Sequence, residues 1–217
     1  MNFDNIKRKI KKIILGHEID NYFFSASGED AILQAIFFKK LSSKEKGFYI
    51  DIGAYHPYHA SNTHLFYING WTGINIDACP GSMNIFNKVR PKDINLEIGI
   101  SNCSEELTYY FIDENSSMNS FSKKHLQEIE MLKHVKKEIP VRTYRLSEIL
   151  DKYMPKNQSI DFINIDVEGF DKEVISFNNW EKYRPKVIVI ELPVKTLDDV
   201  LKNETTKYLN HLIELGT

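Results

Sequence analysis

Two short apolar runs, each ending in a carboxylate and a glycine, stand out in the pattern of hydrophobic and polar positions along the chain. The first is GFYIDIG, residues 47–53, and the second is DFINIDVEG, residues 161–169. Such runs, followed by a helical pattern, are typical of buried parallel strands that lead into a loop and a helix. In open α/β sheets, ligands bind beyond the carboxyl ends of these strands. The pattern therefore predicts a site for a small polar ligand at the two strand ends.

Helical and extended patterns alternate along most of the chain. Helices are predicted at Glu29–Leu41, Tyr58–Ile68, Pro80–Val89 and Phe121–Leu132, with a last helix that runs to Leu215 and stops at Gly216. Strands are predicted at Gly47–Ile52, Gly73–Asp77, Ile94–Ile98, Glu106–Ile112, Glu138–Tyr144, Phe162–Ile165 and Val187–Glu191. This alternation predicts a doubly wound, mostly parallel sheet with helices on both faces and an insertion at 113–137.

At 217 residues the chain suits one α/β domain. We predict a single domain, 1–217, made of an N-terminal helical extension, 1–46, and a Rossmann-like core, 47–217. A net charge of −2 excludes the basic field that nucleic-acid binding requires. Two cysteines without metal-ligand spacing indicate neither a disulfide framework nor a structural metal site. A reducing compartment fits this composition, and we predict a cytoplasmic protein.

The N-terminal stretch combines an isoleucine face (Ile6, Ile10, Ile13 and Ile14) with many lysines, and lacks an apolar run long enough for a signal sequence. A basic amphipathic helix can bind an anionic membrane surface. We favour the alternative in which these isoleucines dock on the domain, because one short apolar face binds membranes weakly.

The loop after the first strand indicates the kind of cofactor. A dinucleotide site requires several glycines in the pattern G-x-G-x-x-G, whereas Gly53 stands alone here, with bulky residues and Pro57 after it. Asp77 ends the second predicted strand, near the spacing at which an acidic side chain accepts hydrogen bonds from ribose hydroxyls. Asp77 alone could equally be a helix N-cap. Together with Asp51 and the single glycine, it favours a nucleoside cofactor without phosphates, S-adenosylmethionine.

Several segments resemble, in order and spacing, the FkbM family of S-adenosylmethionine-dependent methyltransferases. They are DIGAYHP (51–57), SNTHLFYINGWTGINIDACPGSM (61–83), RPKDINLEIGIS (90–101), IDFINIDVEGFDKEV (160–174) and YRPKVIVIE (183–191). The resemblance covers about residues 28–216. It implies a class I methyltransferase fold and O-methylation, typically of a sugar hydroxyl in a surface polysaccharide, glycolipid or secondary metabolite.

The resemblance also implies roles for individual residues. The implied cofactor-binding residues are Asp51, Gly53, Ala54, Asp77, Ala78, Glu97, Ile98 and Asp166. The motif Asp166-Val167-Glu168-Gly169 faces the transferred methyl group in such folds. The chain departs from the family pattern at Asn164, where lysine is frequent, and it ends where two further strands are usual. An uncovered sheet edge invites association, so we predict a homodimer or an aggregation-prone monomer.

An alcohol needs to lose its proton when it attacks a methyl group, so a base is expected near the acceptor oxygen. We predict Asp166 as this base and His56 as the second choice. Asp166 could instead hold the cofactor or, with Glu168, a divalent metal; we predict no resident metal, because two clustered carboxylates are few for such a site. The predicted acceptor-binding residues are His56, Ser61, Asn62, Ser117 and Glu168, although Ser61 and Asn62 could equally serve as turn and capping residues.

These residues lead to one principal hypothesis and two alternatives. The first is an O-methyltransferase (class EC 2.1.1) that uses S-adenosylmethionine to modify a sugar or glycan in capsule or lipopolysaccharide synthesis. The second is a dinucleotide-dependent oxidoreductase or epimerase acting on sugar nucleotides, which the missing glycines disfavour. The third is a non-catalytic nucleoside-binding module with the same fold.

Overall fold

The structure is a computed structural model that describes residues 23–176, 178–191, 196–202, 206–207 and 210. The predicted isoleucine-faced segment and the predicted helix stop at Gly216 lie outside the described residues. Within the described part of the chain, no helix combines the length and the apolar character needed to cross a bilayer.

The described elements alternate along the chain as predicted. The strands are β1 (Phe48–Ile52), β2 (Thr72–Asp77), β3 (Ile94–Glu97), β4 (Gly99–Ile100), β5 (Glu106–Phe111), β6 (Lys137–Tyr144), β7 (Phe162–Ile165) and β8 (Val187–Ile190). The helices are α1 (Glu29–Ile36), α2 (Phe38–Ser42), α3 (His64–Ile68), α4 (Ser82–Val89), α5 (Lys123–Glu128), α6 (Leu146–Tyr153), α7 (Asp171–Ser176) and α8 (Leu197–Lys202), with a short 3-10 helix at Leu132–His134.

Five strands form the main sheet in the order β3-β2-β1-β7-β8, and all of their pairings are parallel. The strand order reverses between β1 and β7. In this register Asp51 lies opposite Asn164, and Ile52 lies opposite Ile165. The predicted α/β Rossmann-like sheet is confirmed, and the two strand-end loops lie side by side at its switch point.

The strands of the main sheet bury both faces. Along β1, Ile50 and Ile52 join an aliphatic cluster on one face, whereas Tyr49 joins an aromatic cluster with Trp71 and Phe162 on the other. Successive side chains of a strand point to opposite faces, so a strand between two helix layers needs apolar residues at nearly every position. Burial on both faces explains why the pattern along β1 is continuous rather than alternating.

A second, three-stranded sheet has the order β4-β6-β5 and comes from the segment between β3 and α6. β5 and β6 are antiparallel, and the polar loop and α5 between them form most of the predicted insertion. This insertion supplies a wall of the site described below. The predicted extra strand is confirmed in β5, although its last residue is Phe111 rather than Ile112.

Four of the predicted helices differ from the structure. The helix predicted at Phe121–Leu132 is observed at Lys123–Glu128, and Leu132 begins a short 3-10 helix. The helix predicted at Glu29–Leu41 is broken at Phe37, whose ring packs against Phe66 and Trp71 in the aromatic cluster. The helix predicted from Tyr58 begins only at His64, because the preceding segment is a loop that the Arg90 side chain holds at the Pro57 carbonyl.

The helix predicted from Pro80 begins at Ser82, after Gly81 in the left-handed region with a φ of 88°. Helix α6 was not predicted from the sequence, although Leu146, Ile149 and Leu150 form its buried face. The prediction that two further strands are missing concerns the C-terminal part of the chain, and the described residues do not test it.

Candidate functional site

The loops after β1 and β7 are in direct contact. Gly53 and Ala54 both donate their backbone N–H to the Ile76 carbonyl, at 2.9 and 3.0 Å, and Asp166 donates its N–H to the Ile52 carbonyl at 2.9 Å. Gly53 has a φ of +81°, and a Cβ atom at this position would lie 1.7 Å from the Asp166 carbonyl oxygen. Only glycine fits there, which is the physical reason for the single glycine in this loop.

A cavity of about 630 Å³, open to solvent, lies beyond the carboxyl ends of β1, β2 and β7. We call it the first cavity. Residues of the insertion close one side of it. Of the residues singled out from the sequence, those that line it are Gly53, Asp77, Ala78, Ile98, Ser117, Asp166 and Glu168.

Asp77 is buried at the edge of the first cavity. Its Oδ1 atom accepts the backbone N–H of Cys79 at 2.7 Å, and its Oδ2 atom accepts that of Tyr55 at 2.8 Å. Burial raises the pKa of this carboxyl above its usual value. An ionised carboxylate has about four lone-pair positions, so acceptor capacity remains for hydroxyl groups of a ligand.

A second cavity, of about 750 Å³, adjoins the first. The two cavities share five lining residues, which are Gly53, Tyr55, Ser117, Asp166 and Glu168. The second cavity is also lined by Asp51, Ala54 and Asn62 among the residues predicted from the sequence. A ligand in one cavity can therefore meet a ligand in the other beside Asp166 and Glu168.

The Asp51 carboxylate lies on the second cavity and not on the first. Its oxygens accept hydrogen bonds from the Thr63 hydroxyl at 2.7 Å and from the Asn164 amide at 2.9 Å. Behind it, the buried Arg90 guanidinium donates to Thr63 at 2.8 Å and to Ser61 at 3.0 Å. Asp51 thus anchors a buried polar network at the switch point and lines the second cavity, whereas Asp77 lines the first.

Three carboxylates converge where the cavities meet. Oxygen atoms of Asp166, Glu168 and Glu191 lie within 4.8 Å of one another. Burial and the nearby Glu191 and Glu168 charges raise the pKa of Asp166 to about 8. Burial and Glu191 raise the pKa of Glu168 to about 7. Such a cluster can accept a proton near neutral pH, and its oxygens would also suit Mg²⁺.

The loop that carries Asp166 and Glu168 is held from two sides. Asp171, at the start of α7, accepts the backbone N–H groups of Val167 and Gly169, each at 3.2 Å. From the insertion, Ser120 donates its hydroxyl to the Glu168 carbonyl at 2.7 Å. These contacts hold Glu168 at a φ of 52°, which is uncommon for a residue with a side chain.

Three predicted site residues do not line either cavity. The His56 ring is turned back on its own loop, where Nδ1 accepts the N–H groups of Tyr58 at 3.3 Å and His59 at 3.2 Å. Ser61 is buried against Arg90. Glu97 pairs in register with Asp77, but its side chain points to solvent, and Ile98 to Ile100 contribute the cavity wall instead.

Sequence reasoning missed several residues that the structure brings to the site. Glu191 follows β8 as Asp166 follows β7, so the same strand-end pattern could have indicated it. Tyr55 lines both cavities, and its hydroxyl donates to the Asn115 carbonyl of the insertion at 2.9 Å. His125 lies 3.4 Å from Glu168. No local sequence signal marks Tyr55, because its partner lies far away in the chain. His125 ends the polar segment 115–125 of the insertion, which is an acceptor candidate from the sequence as a loop that can cover the site.

The comparison with protein families agrees with this geometry. The family model of the methyltransferase FkbM domain matches residues 51–211, a segment that contains both strand-end loops and the insertion. No curated protein and no solved structure matches the chain. The match extends over well more than half of the chain, and the chain therefore belongs to the FkbM methyltransferase family.

Proposed function

We propose that this methyltransferase moves the methyl group of S-adenosylmethionine to a hydroxyl group of a sugar, in the synthesis of a glycan such as a capsule or lipopolysaccharide. The observation that carries the proposal is the charge of the first cavity. Its lining includes the carboxylates of Asp77, Glu114, Asp166 and Glu168, and none of the described lining residues is lysine or arginine. This charge disfavours a pyrophosphate and favours a cationic nucleoside without phosphates.

The residues of the first cavity fit S-adenosylmethionine in two further respects. Asp77 keeps acceptor capacity for ribose hydroxyls beside its two backbone N–H bonds. The backbone at Gly53 has no side chain above it, since a Cβ atom would overlap the Asp166 carbonyl. The same loop offers no glycine-rich cradle for a dinucleotide, which supports the proposal over the oxidoreductase alternative.

When bound, S-adenosylmethionine supplies a methyl group that its sulfonium already activates. In our proposal the protein aligns the acceptor hydroxyl with that methyl group and removes the hydroxyl proton as the new C–O bond forms and the C–S bond breaks. Asp166 is the proposed base, because it lines both cavities and a pKa of about 8 is close to the working pH. His56 is a weaker candidate, because its ring faces its own loop.

Thermal unfolding with S-adenosylhomocysteine and with NAD tests the cofactor. A ligand that binds only the folded state raises the melting temperature, so we expect a rise with the former and none with NAD. Stabilisation by NAD alone would refute the proposal.

Transfer of tritium from labelled S-adenosylmethionine to sugar acceptors tests the chemistry. Asp166→Asn should keep its affinity for S-adenosylhomocysteine and reduce turnover by about 10² to 10⁴. Glu106→Gln, an exposed carboxylate change on β5, is the matched control and should reduce neither. Full transfer activity in Asp166→Asn would remove Asp166 from the role of base.

A further inference from the structure

The second cavity has an unusual charge. Five carboxylates line it, together with two side-chain amides, the hydroxyl-bearing Tyr55 and Ser117, and small or apolar residues. The carboxylates belong to Glu29, Asp51, Asp166, Glu168 and Glu191. None of the described residues that line this cavity is lysine, arginine or histidine. A ligand in the cavity therefore meets carboxyl oxygens on several sides and no basic side chain among the described lining residues.

Two basic side chains lie near the carboxylates of the second cavity without lining it. The guanidinium of Arg90 donates to the Thr63 and Ser61 hydroxyls and to the Pro57 carbonyl, so it lies behind Asp51 rather than in the cavity. His125 approaches Glu168 at 3.4 Å from the insertion, and it is not among the residues that line the cavity.

Two side-chain amides, those of Asn62 and Asn164, also line the second cavity. Asn62 donates its amide to the Asn164 oxygen at 2.8 Å, and Asn164 donates in turn to Asp51 at 2.9 Å. This chain of bonds uses one N–H group of each amide within the protein, and carboxyl oxygens make up most of the other polar groups that line the cavity. Hydroxyl groups donate hydrogen bonds to such oxygens, whereas a ligand carboxylate or phosphate would be repelled by them.

From this lining we infer that the second cavity is the acceptor site and that it takes a neutral polyol, with no carboxylate or phosphate on the part of the acceptor inside it. The inference rests on the proposed function, since it assigns the acceptor to the cavity that meets the first one at Asp166. It goes beyond that function in excluding uronic acids, sugar phosphates and sugars whose diphosphate would enter the cavity.

Saturation-transfer NMR on the full chain loaded with S-adenosylhomocysteine tests this inference, at low salt and with EDTA present. The probes are matched pairs: methyl glucoside with methyl glucuronide, methyl galactoside with methyl galacturonide, and each neutral glycoside with its 6-phosphate. We expect saturation of the neutral member and a signal at least about fivefold weaker for its charged partner. Equal or stronger saturation of the charged partner, or no saturation of any neutral glycoside, would overturn the inference.

Two charge-reversal variants sharpen the test. Glu29→Lys places a cation in the second cavity. It should therefore reduce the difference in saturation-transfer signal between each neutral glycoside and its charged partner. Glu106→Lys makes the same change in net charge on exposed β5 and should leave the difference as in the unmodified protein. A Glu29→Lys protein with unchanged discrimination would contradict the assignment of this cavity to the acceptor.

The experiment also separates this inference from the proposed function. Absence of S-adenosylhomocysteine binding in the thermal test would refute the proposed function itself. Binding of S-adenosylhomocysteine together with a preference for charged sugars would refute only the neutral-acceptor inference. The saturation-transfer measurements are also repeated with Mg²⁺ in place of EDTA. If the charged sugars then give the strongest signals, the carboxylates hold a cation that binds anions, and the inference is wrong.

Discussion

Replacement of Asp77 by asparagine tests the ribose assignment most directly. The change keeps the shape of the side chain and removes its charge. In the folded protein the two carboxylate oxygens accept backbone N–H groups of Tyr55 and Cys79, at 2.8 and 2.7 Å. An asparagine has one acceptor oxygen, so one N–H group would face an amide nitrogen, and any ribose hydroxyl would lose a charged partner.

The expected size of the effect follows from these contacts. Hydrogen bonds to a charged group contribute about 1.5 to 3 kcal/mol each, so the loss of one to a ribose hydroxyl should raise the dissociation constant of S-adenosylhomocysteine about 10- to 150-fold. Isothermal titration calorimetry measures this constant, and urea unfolding of the same variant shows separately how much the altered loop destabilises the fold.

Glu114→Gln provides the matched control. Glu114 also lines the first cavity, but it is exposed to solvent, so the loss of its charge should change the dissociation constant less than about threefold. An Asp77→Asn protein that remains folded and binds S-adenosylhomocysteine within twofold of the unmodified protein would refute the reasoning. Equal weakening in both variants would show that the charge of the cavity matters, and not a specific bond from Asp77.

Three further predictions concern the switch point. Gly53→Ala should lower the free energy of unfolding by more than about 2 kcal/mol, because the new Cβ atom would overlap the Asp166 carbonyl. Gly28→Ala is the control: φ is also positive there, but nothing lies within 4 Å of the new Cβ atom, so the free energy of unfolding should fall by less. Because the folded-state pKa of Asp166 is raised to about 8, the folded protein keeps a proton that the unfolded chain has lost, so stability in urea should fall as the pH rises from 5 to 8.5. Asp166→Asn should weaken this pH dependence, and an unchanged slope would contradict the raised pKa. Ser61→Ala should lower the free energy of unfolding by about 1.5 to 3 kcal/mol, because the buried Arg90 guanidinium loses an acceptor. It should leave the affinity for S-adenosylhomocysteine unchanged in calorimetry, and a large loss of affinity would return Ser61 to the ligand site.

Strand-forming runs were predictable because they depend on local composition. β1 and β7 are apolar at nearly every position, which a strand buried between two helix layers requires. A helix prediction is wrong where a residue that is distant in the sequence binds the backbone of the predicted segment. The Arg90 guanidinium takes the Pro57 carbonyl, and the segment before His64 stays a loop. Residues 58–68 give no indication of this contact, because Arg90 is distant from them in the sequence.

By itself, the sequence determined the alternation of strands and helices, the parallel sheet, the place of the candidate site at the carboxyl ends of β1 and β7, and the family. Only the tertiary structure decided which side chains line the two cavities. Asp51 and Asp77 both end strands, yet the bonds from Thr63 and Asn164 hold Asp51 at the second cavity, whereas Asp77 lines the first. The physical reason is that a strand's character follows from its own residues, whereas the direction and partners of a side chain depend on residues that meet only when the sheet has formed.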